Sequence, residues 1–144
     1  MTATASTRTV ADVRVGDDIE PVDFPLTVYR LVMEAGANRD FNSIHHNTEY
    51  ARATGAPEMY ANTLFLMGMW ERAVRDWMGP GGHFLAIRGF RMGRFNIAGR
   101  TTTVRGQVTA VDPTTGLVTL SLRREDPDGV TVGPGEVDVR LPPG

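Results

Sequence analysis

The stretch LFLMGMW, Leu64 to Trp70, is apolar around its whole helical circumference, which leaves few folds open to the chain. It lies within ANTLFLMGMWERAVRDWMGPGG, where Asn62 or Thr63 offers an N-cap and Gly79 with Pro80 a stop. The spacing predicts one helix of about 16 residues, roughly 24 Å long at 1.5 Å per residue. A helix apolar on every side must be enclosed by protein, while Glu71, Arg72, Arg75 and Asp76 let its later turns reach water. The C-terminal half of the chain can enclose it: HFLAIRGFRMGRFNI, TTTVRGQVTAV, LVTLSLRRED and VTVGPGEVDVRL are strand-like runs separated by AGR, DPTTG and PDG turns. One buried helix and then about four antiparallel strands predict an α+β fold in which a curved sheet wraps the helix.

Ahead of the helix the signals are weaker. VGDDIEPVDFPLTVYR predicts a first strand around Ile19 to Val28, interrupted by Pro21 and Pro25. LTVYRLVMEAG reads as a short amphipathic helix ending at a Gly36 cap. Asn47 is a good N-cap for a third short helix, TEYARAT, with Gly55 and Pro57 as its stop. At 144 residues and 41% hydrophobic content the chain supplies one core. The expected division is a flexible tail over 1–18, a single domain over 19–141 and a second tail over 142–144.

A formal net charge of −2 gives no global basic field for nucleic acid or an anionic membrane. No apolar run approaches the roughly 18 residues of a membrane span, and MTATASTRTV lacks the basic patch and apolar block of a signal peptide. Cytoplasm is therefore the expected compartment, and the absence of cysteine fits it while excluding disulfides and a thiolate nucleophile. All 15 basic residues are arginine, so lysine chemistry is impossible as well.

The chemistry-bearing types gather in RDFNSIHHN, residues 39–47, between the first two short helices. On a straight helix Asp40 and His45 would diverge by about 140°, but in a turn they can converge. A carboxylate beside an imidazole holds a water between them, and imidazoles as a class exchange protons near neutrality, which is machinery for adding or removing water. The bland alternative stands beside it: Asp40 and Asn42 as turn residues, His45 and His46 as ordinary polar side chains. A metal site is not expected, because no second histidine lies at helical ligand spacing and His83 is far downstream. Ser43 and Ser121 lack a nucleophile-elbow context. Trp70, Trp77, Met67, Met69 and Met78 read as packing. Arg88, Arg91 and Arg94 are candidate phosphate contacts, with strand alternation placing Arg91 opposite the other two.

RDFNSIHHNTEYARATG resembles the hydratase motif of the MaoC-like, (R)-specific enoyl-CoA hydratase family, G-D-x-N-P-[LIV]-H-x5-[AS], with Asp40, Asn42, Ile44, His45 and Ala51 in register. The resemblance runs from about residue 26 to the strands near residue 122. It implies the hot-dog fold, a long central helix wrapped by an antiparallel sheet. It also implies reversible hydration of a trans-2-enoyl-CoA thioester by Asp40 and His45, without a cofactor. Arg39 stands where the family has glycine and Ser43 where it has proline, while Asn62 and Thr63 replace the His-Gly of its usual AHGML. RDF and HHN together are similar to the small catalytic subunit of steroid side-chain hydratases, a branch that pairs with a different MaoC-like chain. A homodimer or such a heteromer is thereby implied, and a sheet with free edges needs cover in any case.

The start of the buried helix adds a site of its own, because its first N–H groups lack intrahelical acceptors and offer donors to a developing oxyanion. Asn62 and Thr63, with Asn42, are thus the expected substrate-binding residues, although Asn62 serves equally as a plain cap. Two rival functions remain open at this level. One is a hot-dog thioesterase, in which the same donors assist attack at the carbonyl carbon; the other is a non-catalytic scaffolding subunit of a heteromeric hot-dog assembly.

Overall fold

A computed structural model describes residues 6–144. Five antiparallel strands make one sheet: β1 Val22–Pro25, β2 His83–Arg88, β3 Thr101–Asp112, β4 Leu117–Asp126 and β5 Gly129–Arg140. Their spatial order is β1-β3-β4-β5-β2. Three α-helices accompany it, α1 Val28–Ala37, α2 Thr48–Ala53 and α3 Thr63–Met78. The inward positions of β3, β4 and β5 alternate as period-2 strands require, and Val104, Val108, Val118, Leu120, Leu122, Val137 and Val139 are all buried. They close on Leu66, Met69, Trp70, Ala73, Val74 and Met78 of α3, so helix and sheet share one core.

The central helix begins and ends close to its expected limits. The Asn62 side chain accepts the Phe65 N–H at 2.7 Å, and Gly79, with φ 75, ends the helix. Enclosure on every side is not achieved within one chain, however. The sheet covers one face and buries Leu66, Met69 and Trp70, while Leu64 is 58% exposed and Gly68 also faces outward.

Several boundaries differ from those expected, each for a local reason. Residues 1–5 of the expected tail lie outside the described residues, but the rest of it is anchored to the domain at two buried valines. Val10 and Val13 are buried, the Val10 N–H reaches the Pro142 carbonyl at 2.9 Å, and Asp12 closes a 3-10 turn over Val10–Asp12. The two expected tails are therefore bonded to each other, the terminal LPPG included. The first strand is shorter than Ile19 to Val28. Asp18 makes only an isolated bridge to Gln107, and the Thr27 hydroxyl turns the chain into α1 by accepting the Arg30 N–H. Pro25 is tolerated because β1 is an edge strand. Gly36 does not cap α1, which continues to Ala37 and stops at Asn38.

The run HFLAIRGFRMGRFNI is not one strand. Gly89, with φ 64, takes the chain out of β2, and beyond it the run makes only isolated bridges, Met92 to Val132 and Ile97 to Tyr60. The alternation argument for the three arginines therefore fails. Arg88 pairs with Glu136 at 3.0 Å and Asp138 at 2.9 Å, and Arg94 pairs with Asp126 and Asp128.

Candidate active site

Asp40 and His45 meet because α1 is brought to an abrupt end. Arg39 adopts φ 56, the left-handed conformation that usually selects glycine, and this lets the Asp40 N–H bond back to the Ala35 carbonyl at 2.8 Å. The left-handed backbone costs a non-glycine residue about 1–2 kcal/mol, against the roughly 0.5–1 kcal/mol of extra chain entropy that glycine loses on folding. Arg39→Gly should therefore raise stability by about 0.5 kcal/mol in urea unfolding. A loss of stability would mean that the Arg39 side chain is itself holding structure.

Beyond Arg39 the Asn42 side chain accepts the Ile44 N–H at 3.2 Å and starts a 3-10 turn over Ser43–His45. Asn47 ends the turn by donating its N–H to Ser43 and then caps α2 through the Tyr50 N–H at 2.9 Å. The turn makes the two side chains converge, with His45 Nε2 3.1 Å from Asp40 Oδ2. The second Asp40 oxygen accepts the Asn42 N–H at 3.4 Å. His46 is exposed, and its Nε2 approaches the Phe41 carbonyl at 3.3 Å. It braces the loop.

The imidazole is fixed from its far side by Tyr60. His45 Nδ1 lies 2.7 Å from the Tyr60 carbonyl, which can only accept, so Nδ1 carries a hydrogen. In the neutral ring Nε2 is then a lone pair. Its 3.1 Å approach to a carboxylate oxygen is attractive only with one proton between them, on either atom. The dyad is thus a one-proton device. Its histidine is buried, whereas the Asp40 side chain is 36% exposed and open to what enters the site. The Tyr60 ring stands edge-on to His45, and burial first, then the nearby Asp40 charge, pushes its phenol above the usual value.

The same peptide leads into α3. Tyr60 and Ala61 line a cavity of about 570 Å³, together with Met92, Phe95, Asn96, Arg94 and Arg100. At the start of α3 Asn62 takes the Phe65 N–H, and no acceptor among the described residues takes those of Thr63 and Leu64. Two donors and the positive end of a helix dipole are therefore available next to the cavity. The Thr63 hydroxyl faces Met92 Sδ at 3.9 Å. Asn62 is buried with its Nδ2 unmatched, so the cap leaves one of its donors over. Asn42 is exposed and engaged in the turn, and neither it nor Asp40, His45, Asn62 or Thr63 is part of the cavity lining, which the last four adjoin through Tyr60 and Ala61. Arg94 and Arg100 put positive charge on the rim but are held by Asp126 and Asp128. The hydrogen bond from Arg100 keeps Asp128 below its ordinary carboxylate range.

Among the described residues no cluster of three or more His, Asp or Glu stands ready for a metal ion, and no helix is long and apolar enough to cross a membrane. Tyr60 has no counterpart among the residues singled out from sequence. Its contribution to His45 is a backbone carbonyl, which every residue type carries; only its place just before the helix cap hints at it.

A curved antiparallel sheet around one helix, with a carboxylate–imidazole pair beside that helix's N-terminus, defines a hot-dog lyase of the hydratase and dehydratase type. No family model matches the chain. It is 38% identical over 92 residues to the 3-oxo-4,17-pregnadiene-20-carboxyl-CoA hydratase beta subunit of Mycobacterium tuberculosis, a match that covers 64% of this chain and 69% of that protein. One chain of the ChsH1-ChsH2 complex from Mycobacterium tuberculosis superposes with a TM-score of 0.83 at 31% identity, covering 89% of this chain and 98% of that one. The (R)-hydratase of A. caviae involved in PHA biosynthesis shares the fold, with a TM-score of 0.82 at 21% identity over 90% of this chain and 98% of its own. The chain belongs to the MaoC-like hydratase family, and its fold is the hot-dog fold.

Proposed function

We propose that the protein adds water reversibly to trans-2-enoyl-CoA thioesters, giving 3-hydroxyacyl-CoA, with Asp40 and His45 as its proton-transfer pair. The observation that carries this reading is the 3.1 Å contact between His45 Nε2 and Asp40 Oδ2, held by a peptide that runs directly into the free donors of α3. The thioester carbonyl accepts the Thr63 N–H, so electron density leaving the double bond is stabilised there. Water held by the dyad attacks the β-carbon and gives one proton to Nε2. Asp40 delivers the shared proton to the α-carbon. The proton on Nε2 then crosses to Asp40, and the pair returns to its starting state with one water consumed.

Arg94 and Arg100 suit the phosphates of coenzyme A as carrier where these take the place of Asp126 and Asp128. The relatives' names favour a steroid side chain as the acyl group. They also favour assembly with a second, MaoC-like chain. The uncovered surface of this chain fits that assembly, since Val28, Tyr29, Val32 and Met33 stand exposed on α1 and Leu64 on α3.

Loss of the conjugated enoyl-thioester absorbance, monitored with the purified chain on short-chain and steroid-type enoyl-CoAs while light scattering measures its mass, tests both parts. Hydration is expected, at a mass above that of a monomer. Release of free thiol in place of hydration would make the protein a thioesterase and overturn the reading.

A further inference from the structure

The interior holds a cation that no acid meets. Arg124 continues the inward series Val118, Leu120, Leu122 on β4, is 0% exposed, and has no hydrogen-bond partner for Nε, Nη1 or Nη2 among the described residues. Its guanidinium carbon stands 5.8 Å from the centre of the Phe24 ring. Burial brings its pKa down to about 9, with no neighbouring acid to offset the effect, so it remains charged at neutral pH. Its strand neighbours in register are Val104 and Val132, and an apolar side chain of similar volume would pack there without the desolvation penalty.

Two further buried side-chain atoms lack partners, Asn62 Nδ2 and Trp70 Nε1. Every unmatched atom in this set is a donor. What the interior lacks is an acceptor.

The Arg124 backbone is joined to the cavity wall through Thr131 and Asn96. The Thr131 hydroxyl approaches the Arg124 carbonyl at 3.4 Å and Asn96 Oδ1 at 2.8 Å, and the Asn96 carbonyl takes the Ala61 N–H at 2.9 Å. Asn96, Ala61 and Asp126, two residues along β4, all line the cavity.

We propose that Arg124 is a specificity-determining residue that receives an oxygen acceptor, a ketone or carboxylate, carried at the far end of the acyl group. The inference rests on the hydratase reading and adds to it a substrate class. An acyl group passing from the cavity into the space between α3 and the sheet displaces packing side chains and brings its distal oxygen to the guanidinium. A plain alkyl end brings none and leaves the cation unpaired, which is the situation in which a polar site discriminates most strongly.

The test uses the full chain, in complex with its partner chain where one is required, and three trans-2-enoyl-CoAs of equal length ending in a methyl group, a methyl ketone or a carboxylate. In the wild type kcat/KM for at least one oxygen-ended thioester should exceed that for the alkyl one by about 100-fold. In Arg124→Met that ratio should collapse toward one. Arg124→Gln, which keeps an amide donor and loses the charge, should retain part of a ketone preference and none of a carboxylate preference. The two oxygen-ended substrates thus identify the acceptor. Thermal melting supplies a readout independent of turnover: Arg124→Met should melt higher than wild type without ligand and lose the upward shift that the oxygen-ended thioester gives. A ratio near one in the wild type, or one unchanged in both variants, would overturn the inference alone. A wild type that hydrates a steroid-type enoyl-CoA but none of the three would also overturn the inference alone, whereas one that hydrates neither kind would remove the hydratase reading and this inference with it.

Discussion

His45→Ala and Asp40→Asn should each lower kcat for enoyl-thioester hydration by about 10³-fold, within the range that a positioned acid or base contributes. Asp40→Asn is the more informative of the two. Asparagine keeps the shape of the side chain and can donate a hydrogen bond to the Nε2 lone pair, so the 3.1 Å contact survives while the proton that should reach the α-carbon is gone. KM should change little, because the oxyanion donors belong to α3 and not to the dyad. Since both residues handle the same proton, the double variant should be hardly slower than either single one. Initial rates with melting curves for each variant check this. Near-wild-type rates in folded Asp40→Asn protein would remove the dyad from the reaction.

Trp70→Ala should be the largest loss of stability available on α3, about 3–5 kcal/mol. The indole is fully buried, its ring meets Phe90 at 4.8 Å between centroids, and a Cβ added at Gly133 would come within 3.3 Å of its Cζ2. Leu64→Ala, nearly two turns earlier on the same helix, supplies the contrast, for Leu64 is 58% exposed and its loss should cost the isolated chain under about 0.5 kcal/mol. Urea unfolding of the two variants side by side measures both. Equal losses would mean that the outward face of α3 is already covered.

The difference between the leucine and the tryptophan also marks how far the sequence could be read. Periodicity found α3, its Asn62 cap and the wrapping strands, because each is a local pattern that burial enforces. It could not say which flank of an all-apolar helix the sheet would leave bare, since that depends on strand order. Residue type and spacing left the Asp40–His45 pair open between a proton-transfer dyad and ordinary turn residues until the resemblance to the hydratase motif singled it out, whereas the Tyr60 carbonyl that orients it has no side-chain signature. The Val10 and Pro142 contact joins segments at opposite ends of the chain, and no window of sequence displays it. Arg124 was legible in principle. The alternation of VTLSLRRED puts it on the inward face with Leu120 and Leu122, and only the expectation that arginines face water hid it.

The strap from Tyr60 to Thr63 touches the imidazole with its first residue and opens α3 with its last. The proposed reaction chemistry is thereby written on one contiguous stretch of chain, between Asp40 and Thr63, while most of the cavity wall and the buried cation come from the loop after β2 and from β4. The two can drift separately over evolutionary time. On the proposed reading, a lineage that altered residues 92–97 or Arg124 would inherit the same hydration step with a new diet.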